Sequence, residues 1–170
     1  MNHLDAGVFV IRVVVGATMI LHGWNHWRGG GRIDGTASWF ESLGLRPGRL
    51  HAWSSVLVEI AAGAGLAAGF LTPLSAGAIV GVMTVAAVIE HWTHGFFVFR
   101  NGFEYVLMIA VVCGGLAITG PGRISVDSGL GLNLPDGYGG LLIAVVIGLG
   151  GAGVLLGLAW RPARERALAE

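Results

Sequence analysis

Long apolar runs alternate with short polar joints along the 170-residue chain. A helix needs about 20 apolar residues to cross a bilayer. Five runs come near that length, at about 4–27, 51–70, 73–92, 102–119 and 138–160. The pattern predicts an all-α membrane protein, with a bundle of four transmembrane helices and a fifth transmembrane helix after it.

The first joint, 28–50, is long and polar and predicts a short helix of its own. Asp34 is a candidate N-cap for that helix, because Asp accepts hydrogen bonds from the free amides of a first turn. Trp39, Phe40 and Leu43 would give the helix an apolar face. Such a helix can lie in the membrane interface.

The joint at 120–137 is rich in Gly and Pro and separates the fifth run from the other four. We therefore predict a four-helix domain at 1–127, a linker at 128–137, a fifth helix at 138–160 and a basic C-terminal tail at 161–170. The tail pattern indicates a short surface helix.

The composition supports the membrane class, since 54% of the residues are hydrophobic and 12% are charged, whereas soluble domains are about 25% charged. The formal net charge of zero leaves no basic stripe for nucleic acid. Cys113 is the one cysteine, which excludes an internal disulfide and a CxxC redox pair. Glycine pairs four residues apart predict close helix packing at Gly65/Gly69, Gly77/Gly81 and Gly153/Gly157.

Five crossings would put the first joint, the third joint and the C-terminal tail at one membrane face, which we call the arginine-rich face. It receives Arg28, Arg32, Arg46, Arg49, Arg100, Arg161, Arg164 and Arg166, out of ten arginines. The positive-inside rule then predicts a multi-pass cell-membrane protein with its N-terminus outside and its C-terminus in the cytoplasm. All six tryptophans also fall at helix ends of this face.

Ionisable side chains lie within or at the ends of the apolar runs, close to the same face. His22 and His26 close the first run and, four residues apart, share one helix face. A charge at the bilayer centre costs about 2.5–3.5 kcal/mol on insertion scales, so such groups turn toward the bundle interior. We expect one site there, formed by His22, Trp24, Glu59, His91, Glu104 and Tyr105.

Three interpretations of this cluster remain open. It is a structural network of acids and imidazoles, a pocket for a small amphipathic redox molecule such as a quinone, or a metal site. Carboxylate-bridged bundles use Glu-x-x-His spacings, which the chain lacks here, so no metal is expected. At the opposite face, Arg12 and Asp127 are predicted to be structural, with Asp127 as the partner of Arg12.

An ordered set of motifs resembles the DoxX family over about residues 7–127. The set comprises VIRVVVGATMILHGWNHW, GTASWFESLGL, VEIAAGAGLAAGFLT, EHWTHGFF, NGFEYVLMIAVV and TGPGRISVD. The resemblance implies a four-helix membrane bundle and a family named for a thiosulfate–quinone oxidoreductase subunit. The recurring polar positions of the family correspond to Arg12, His22, Gly23, Glu59, His91, Gly95, Phe96, Glu104, Arg123 and Asp127. The fifth helix departs from the short family form.

On this resemblance we expect a membrane component of an oxidoreductase system that holds a membrane quinone, served by redox partner proteins, in a lipid bilayer. His22, His91 and Tyr105 would form hydrogen bonds, and Glu59 and Glu104 would accept protons. The chain has no nucleotide fingerprint, so it is expected to be a subunit rather than a self-sufficient enzyme. The alternative is a non-catalytic scaffold or lipid-handling protein with a structural polar cluster. Whether the chain forms a homo-oligomer is left open.

Overall fold

The computed structural model describes residues 3–162, and helices dominate them, so the all-α fold class is confirmed. In chain order the helices are His3–Arg28 (α1), Arg32–Ser42 (α2), Gly48–Ala68 (α3), Thr72–Ala86 (α4), Glu104–Thr119 (α5), Val126–Gly129 (α6), Gly137–Val145 (α7) and Gly151–Ala159 (α8). The helix α4 continues through a π-helical turn, Ala87–His91. A second π-helical turn, Val146–Gly150, joins α7 to α8. We call the continuous segment Gly137–Ala159 the fifth helix.

Four helical segments are long and apolar enough to cross a bilayer, namely His3–Arg28, Gly48–Ala68, Thr72–His94 and Gly137–Ala159. Helix α5 is apolar but has only 16 residues, which is about 24 Å of helix against a hydrocarbon core of about 30 Å. The boundaries lie within three residues of those expected from the apolar runs.

The C-terminal end of the fifth helix lies beside the first joint, where two backbone segments form a clamp that comprises residues 43–46 and 159–161. Leu45 and Trp160 form an antiparallel bridge. The amide of Arg46 donates to Ala159 O at 3.0 Å, and the indole of Trp160 donates to Leu43 O at 3.0 Å. The fifth helix therefore ends at the arginine-rich face. Most of the predicted tail helix, from 163 onward, lies outside the described residues.

Glycine contacts set the distance between several helices. A Cβ on Gly63 would lie 2.6 Å from Gly16 O, so α1 and α3 touch through their backbones. Gly77 and Gly81 pack against the backbone of Ala144 and Gly148 in the fifth helix, which agrees with the expectation from their spacing. At Gly153 and Gly157 a Cβ would meet no atom within 4 Å, so this pair packs against no other described helix.

At the opposite face, Arg12 is fully buried and donates to Leu66 O and Ala67 O at 3.2 Å and to Ile124 O. The expected partner, Asp127, instead accepts hydrogen bonds from the amides of Leu71 and Thr72 and from the Thr72 hydroxyl. The two groups therefore satisfy different helix termini and share no hydrogen bond or salt bridge among residues 3–162, although they lie close enough to interact electrostatically. The structural role predicted for both stays a prediction.

The predicted helix in the first joint is present as α2, but Asp34 is not its N-cap. The helix begins at Arg32, and Gly31 occupies the N-cap position in a left-handed conformation. Asp34 lies in the first turn, where it faces Arg49 at 3.8 Å. Phe40 is buried against the bundle, whereas Trp39 is 42% exposed, so α2 packs on α1 and α3 as well as facing outward.

Candidate functional site

The centre of the site is Glu59, which is only 3% exposed although it lies in the middle of the apolar helix α3. Gly23 of α1 passes directly over it. A Cβ on Gly23 would lie 3.1 Å from the Cβ of Glu59. One turn earlier on the same face of α3, the Ser55 hydroxyl donates to Glu59 Oε1. The glycine therefore lets α1 cover the carboxylate, and the serine supplies its hydrogen bond.

His26 is the second polar group of the site. Its Nε2 lies 3.7 Å from Glu59 Oε1, and the histidine side chain is 18% exposed. The imidazole stacks on Trp39 at a centroid distance of 6.0 Å and meets the edge of Phe40 at 5.7 Å. The packing of α2 against α1 thus fixes the ring so that its Nε2 faces the carboxylate.

The other carboxylate oxygen, Glu59 Oε2, is buried and has no hydrogen-bond partner among residues 3–162. Buried polar atoms in proteins are paired in the great majority of cases, and an unpaired one costs about 1–3 kcal/mol. The polar cluster is therefore not a closed network in which every member is satisfied. One strong hydrogen-bonding position is left over at its centre.

Two cavities meet at Glu59. The first, of about 300 Å³, lies between α2, α3, α4 and the fifth helix, and we call it the apolar cavity because most of its lining is aliphatic or aromatic. The second, of about 560 Å³, lies between α1, α2, α4 and α5 and carries more polar groups, so we call it the polar cavity. Both are lined by His26, Trp39, Glu59, Val82, Ala86 and His91.

The π-helical turns lie beside the apolar cavity. Ile89, Glu90 and His91 from the first turn and Ile147 from the second contribute to its lining. Such turns are rare and occur frequently at functional sites. His91 closes the first turn, and its Nδ1 lies 2.7 Å from Asn101 O, which ties it to the third joint.

Four of the six predicted site residues line these cavities. Glu59 and His91 line both. His22 and Tyr105 line the polar cavity, where their rings stack at a centroid distance of 5.9 Å. The structure therefore brings these four together around one carboxylate.

The other two predicted residues line neither cavity. Trp24 is 52% exposed and packs on Trp27 and near Arg28. Glu104 accepts a hydrogen bond from the Val98 amide at 3.0 Å and so organises the third joint. The sequence analysis put Glu59 and Glu104 in one site, but Glu59 lines the cavities whereas Glu104 holds the third joint.

The set of predicted residues also omitted neighbours that the structure places at the centre. His26 could have been chosen from its spacing, because it shares a helix face with His22. Ser55 lies one turn before Glu59, a spacing at which side chains meet on a helix. Ile147, Gly151 and Leu155 of the fifth helix line the apolar cavity, and their apolar sequence carries no signal of that role.

Chemically, the site offers one buried carboxylic acid with an unpartnered oxygen, the imidazole of His26 beside it, further imidazoles in the cavity lining and an aromatic wall. Such a set can form hydrogen bonds with a carbonyl or hydroxyl and can exchange protons with it. Among residues 3–162, no three His, Cys, Asp or Glu side chains lie together in a way that could hold a metal ion. The arrangement suits a small organic ligand with a polar head.

Comparisons with known proteins agree on one family. The family model described as DoxX matches residues 7–92, which is about half of the chain. The inner membrane protein YqjF of Escherichia coli strain K12 is 30% identical over 128 residues, which cover 72% of this chain and 91% of the relative. No solved structure matches the chain.

Proposed function

This chain belongs to the DoxX family of multi-pass membrane proteins, and from that premise we propose that it binds a membrane quinone at Glu59 as a component of an oxidoreductase system. Its membrane would be the inner or plasma membrane, as for the E. coli relative. The quinone ring would lie where the two cavities meet, with Trp39 as an aromatic wall.

The observation that carries this proposal is the unpartnered oxygen of Glu59. If the cluster only held helices together, folding would favour a partner for every buried polar atom. Glu59 Oε2 instead lacks one among the described residues, and Glu59 lines both cavities, whereas Arg12, whose Nε is also unpartnered, lines neither. A protonated carboxyl can donate to a quinone carbonyl, and a carboxylate can accept from a hydroquinone hydroxyl, so either redox form of the ligand finds a partner.

The polar cavity supports the proton traffic that quinone chemistry requires. It is lined by Glu59, His22 and Tyr105 and also by Asn101 of the third joint. These groups donate or accept hydrogen bonds and can hold water between the carboxylate and the membrane face. Reduction of a quinone to hydroquinone consumes two electrons and two protons. The protons would reach the ring along this route.

The electrons would come from a redox-active partner protein, so the chain acts as a membrane subunit. Cys113, which is buried in α5, is the one cysteine in the sequence, so the chain has no pair of thiols that could supply the electrons. The arginine-rich face would be cytoplasmic, since arginines concentrate there. The partner would then dock on that face, where α2 and the third joint lie.

The experiment that tests the proposal measures quinone binding to the purified protein in lipid nanodiscs. The probe is a short-chain ubiquinone. Its binding is measured by the quenching of tryptophan fluorescence and by the rise in melting temperature. Wild type should bind the probe, and Glu59→Gln should weaken binding about tenfold, because a hydrogen bond to a group that can carry a charge is worth about 1.5–3 kcal/mol. Glu104→Gln is the matched control and should bind as wild type does.

Two outcomes would count against quinone binding. The first is that the probe neither quenches the tryptophan fluorescence of wild type nor stabilises it. The second is that Glu59→Gln and Glu104→Gln reduce binding equally. Either result, with Glu59→Gln lowering only the melting temperature, would favour the scaffold interpretation, in which the cluster is structural.

A further inference from the structure

The apolar cavity is longer than the quinone ring that would bond to Glu59, and its length indicates what else the ligand contains. Along α4 the cavity extends from His91, next to the arginine-rich face, to Ala78. At 1.5 Å per residue these positions are roughly 20 Å apart along the helix axis, which is much longer than a quinone ring. Only part of this length can be filled by a head that bonds to Glu59.

One side of the apolar cavity has an entirely apolar lining. Between α3, α4 and the fifth helix it is lined by Val58, Ala78, Gly81, Ile147, Gly151 and Ala152. None of these side chains forms hydrogen bonds. A ligand segment that lies there must be apolar, because a polar one would lose its hydrogen bonds to water without replacement.

The fifth helix supplies one wall of this apolar side. Its Gly151 lies near the middle of Gly137–Ala159, and a Cβ built on it would meet no atom within 4 Å. Gly151 and Val58 are both exposed, so the cavity opens on the outer surface of the bundle at mid-membrane depth. An acyl or isoprenoid chain could pass through this opening into the lipid.

We propose that the apolar cavity is a slot for the isoprenoid tail of the ligand, walled by the fifth helix, and that Gly151 keeps the slot open. This inference rests on the proposed function, since it takes the head to be at Glu59. It makes the preferred ligand a tailed quinone rather than a small tailless one. The fifth helix is then part of the binding site.

The test compares two probes in nanodiscs by tryptophan quenching. One is 2,3-dimethoxy-5-methyl-1,4-benzoquinone, which has no tail, and the other is its decyl derivative. Gly151→Leu should lower the affinity for the decyl probe about tenfold, because the leucine side chain would displace methylene groups of the tail from the slot. The affinity for the tailless probe should not change. Gly153→Leu is the control, since Gly153 also has open space around it but lines neither cavity.

The possible outcomes separate the two proposals. If both probes bind wild type and weaken with Glu59→Gln, while Gly151→Leu changes neither or both equally, the tail slot is overturned and head binding stands. If neither probe binds wild type, both proposals fall. Gly151→Ala guards against a folding defect, because its methyl group fits, and it should reduce only decyl binding, by a smaller factor.

Discussion

His26 Nε2 lies 3.7 Å from Glu59 Oε1, and the two side chains come from different helices that cross through glycines. The contact joins the end of α1 to the middle of α3. The imidazole is held by the aromatic rings of α2. The helix α2 therefore helps to set the environment of a carboxylate that belongs to a different helix. A substitution that shifts any of these three helices should therefore change the surroundings of the Glu59 carboxylate.

Removal of the Ser55 hydroxyl should destabilise the protein. Ser55→Ala takes a hydrogen-bond donor away from a carboxylate that is 3% exposed, and the expected loss is about 1–2 kcal/mol in the free energy of unfolding. Unfolding by SDS in mixed micelles, followed by circular dichroism, measures it. Ser54→Ala is the control, because that hydroxyl bonds only to Leu50 O. Equal losses in both variants would contradict this role of Ser55.

Arg12→Met should destabilise the protein more strongly than any exposed arginine substitution. The last carbonyls of a helix have no intrahelical partners, and Arg12 satisfies those of Leu66 and Ala67 at the end of α3. We expect a loss of about 3 kcal/mol, measured by the same SDS titration. Arg123→Met should stay within about 0.5 kcal/mol of wild type, since Arg123 is exposed. A small effect at Arg12 would mean that water replaces the guanidinium.

Gly16→Ala should separate α1 from α3. A Cβ at Gly16 would lie 2.7 Å from Ala67 Cβ and overlap the Gly63 carbonyl, so the helices must move apart at a cost of about 1–3 kcal/mol. Gly7→Ala, on the same helix, has open space and should be neutral or slightly stabilising. The difference in SDS midpoint between the two variants is the measurement. A neutral Gly16→Ala would show that the interface is loose.

Cysteine labelling should place the arginine-rich face in the cytoplasm. In a Cys113→Ala background, Ser128→Cys lies at the opposite face and Ser42→Cys at the end of α2, and both positions are exposed. A membrane-impermeant maleimide added to intact cells should label Cys at 128 and reach 42 only after permeabilisation. The reverse pattern would invert the orientation that we propose and would move the site to the outer face.

The helices themselves were predictable because hydrocarbon imposes their length and apolar composition. The gathering of His22, Glu59, His91 and Tyr105 was also predictable, since apolar surroundings drive buried polar groups together. The choice between Trp24 and His26 was not. They lie two residues apart on α1, and which of them faces inward depends on helix rotation, which is set by the close contacts at Gly16 and Gly23.

Glu104 illustrates a second limit. A carboxylate at the start of a helix can complement the helix dipole, cap a loop or enter a cavity, and the sequence is the same in each case. Here the path of the third joint presents the Val98 amide to it. The role of the fifth helix was equally hidden, because glycine and aliphatic residues are common to lipid-facing surfaces and to cavity walls.

The clamp between residues 43–46 and 159–161 joins parts of the chain that leave the ribosome far apart in time. Leu45 is synthesised first, and Trp160 follows 115 residues later. One side of the apolar cavity is consequently missing until the fifth helix has been made. A nascent chain that stalls before the fifth helix inserts would have the cavity beside Glu59 open to lipid, and such a chain should be recognised by membrane quality-control proteases.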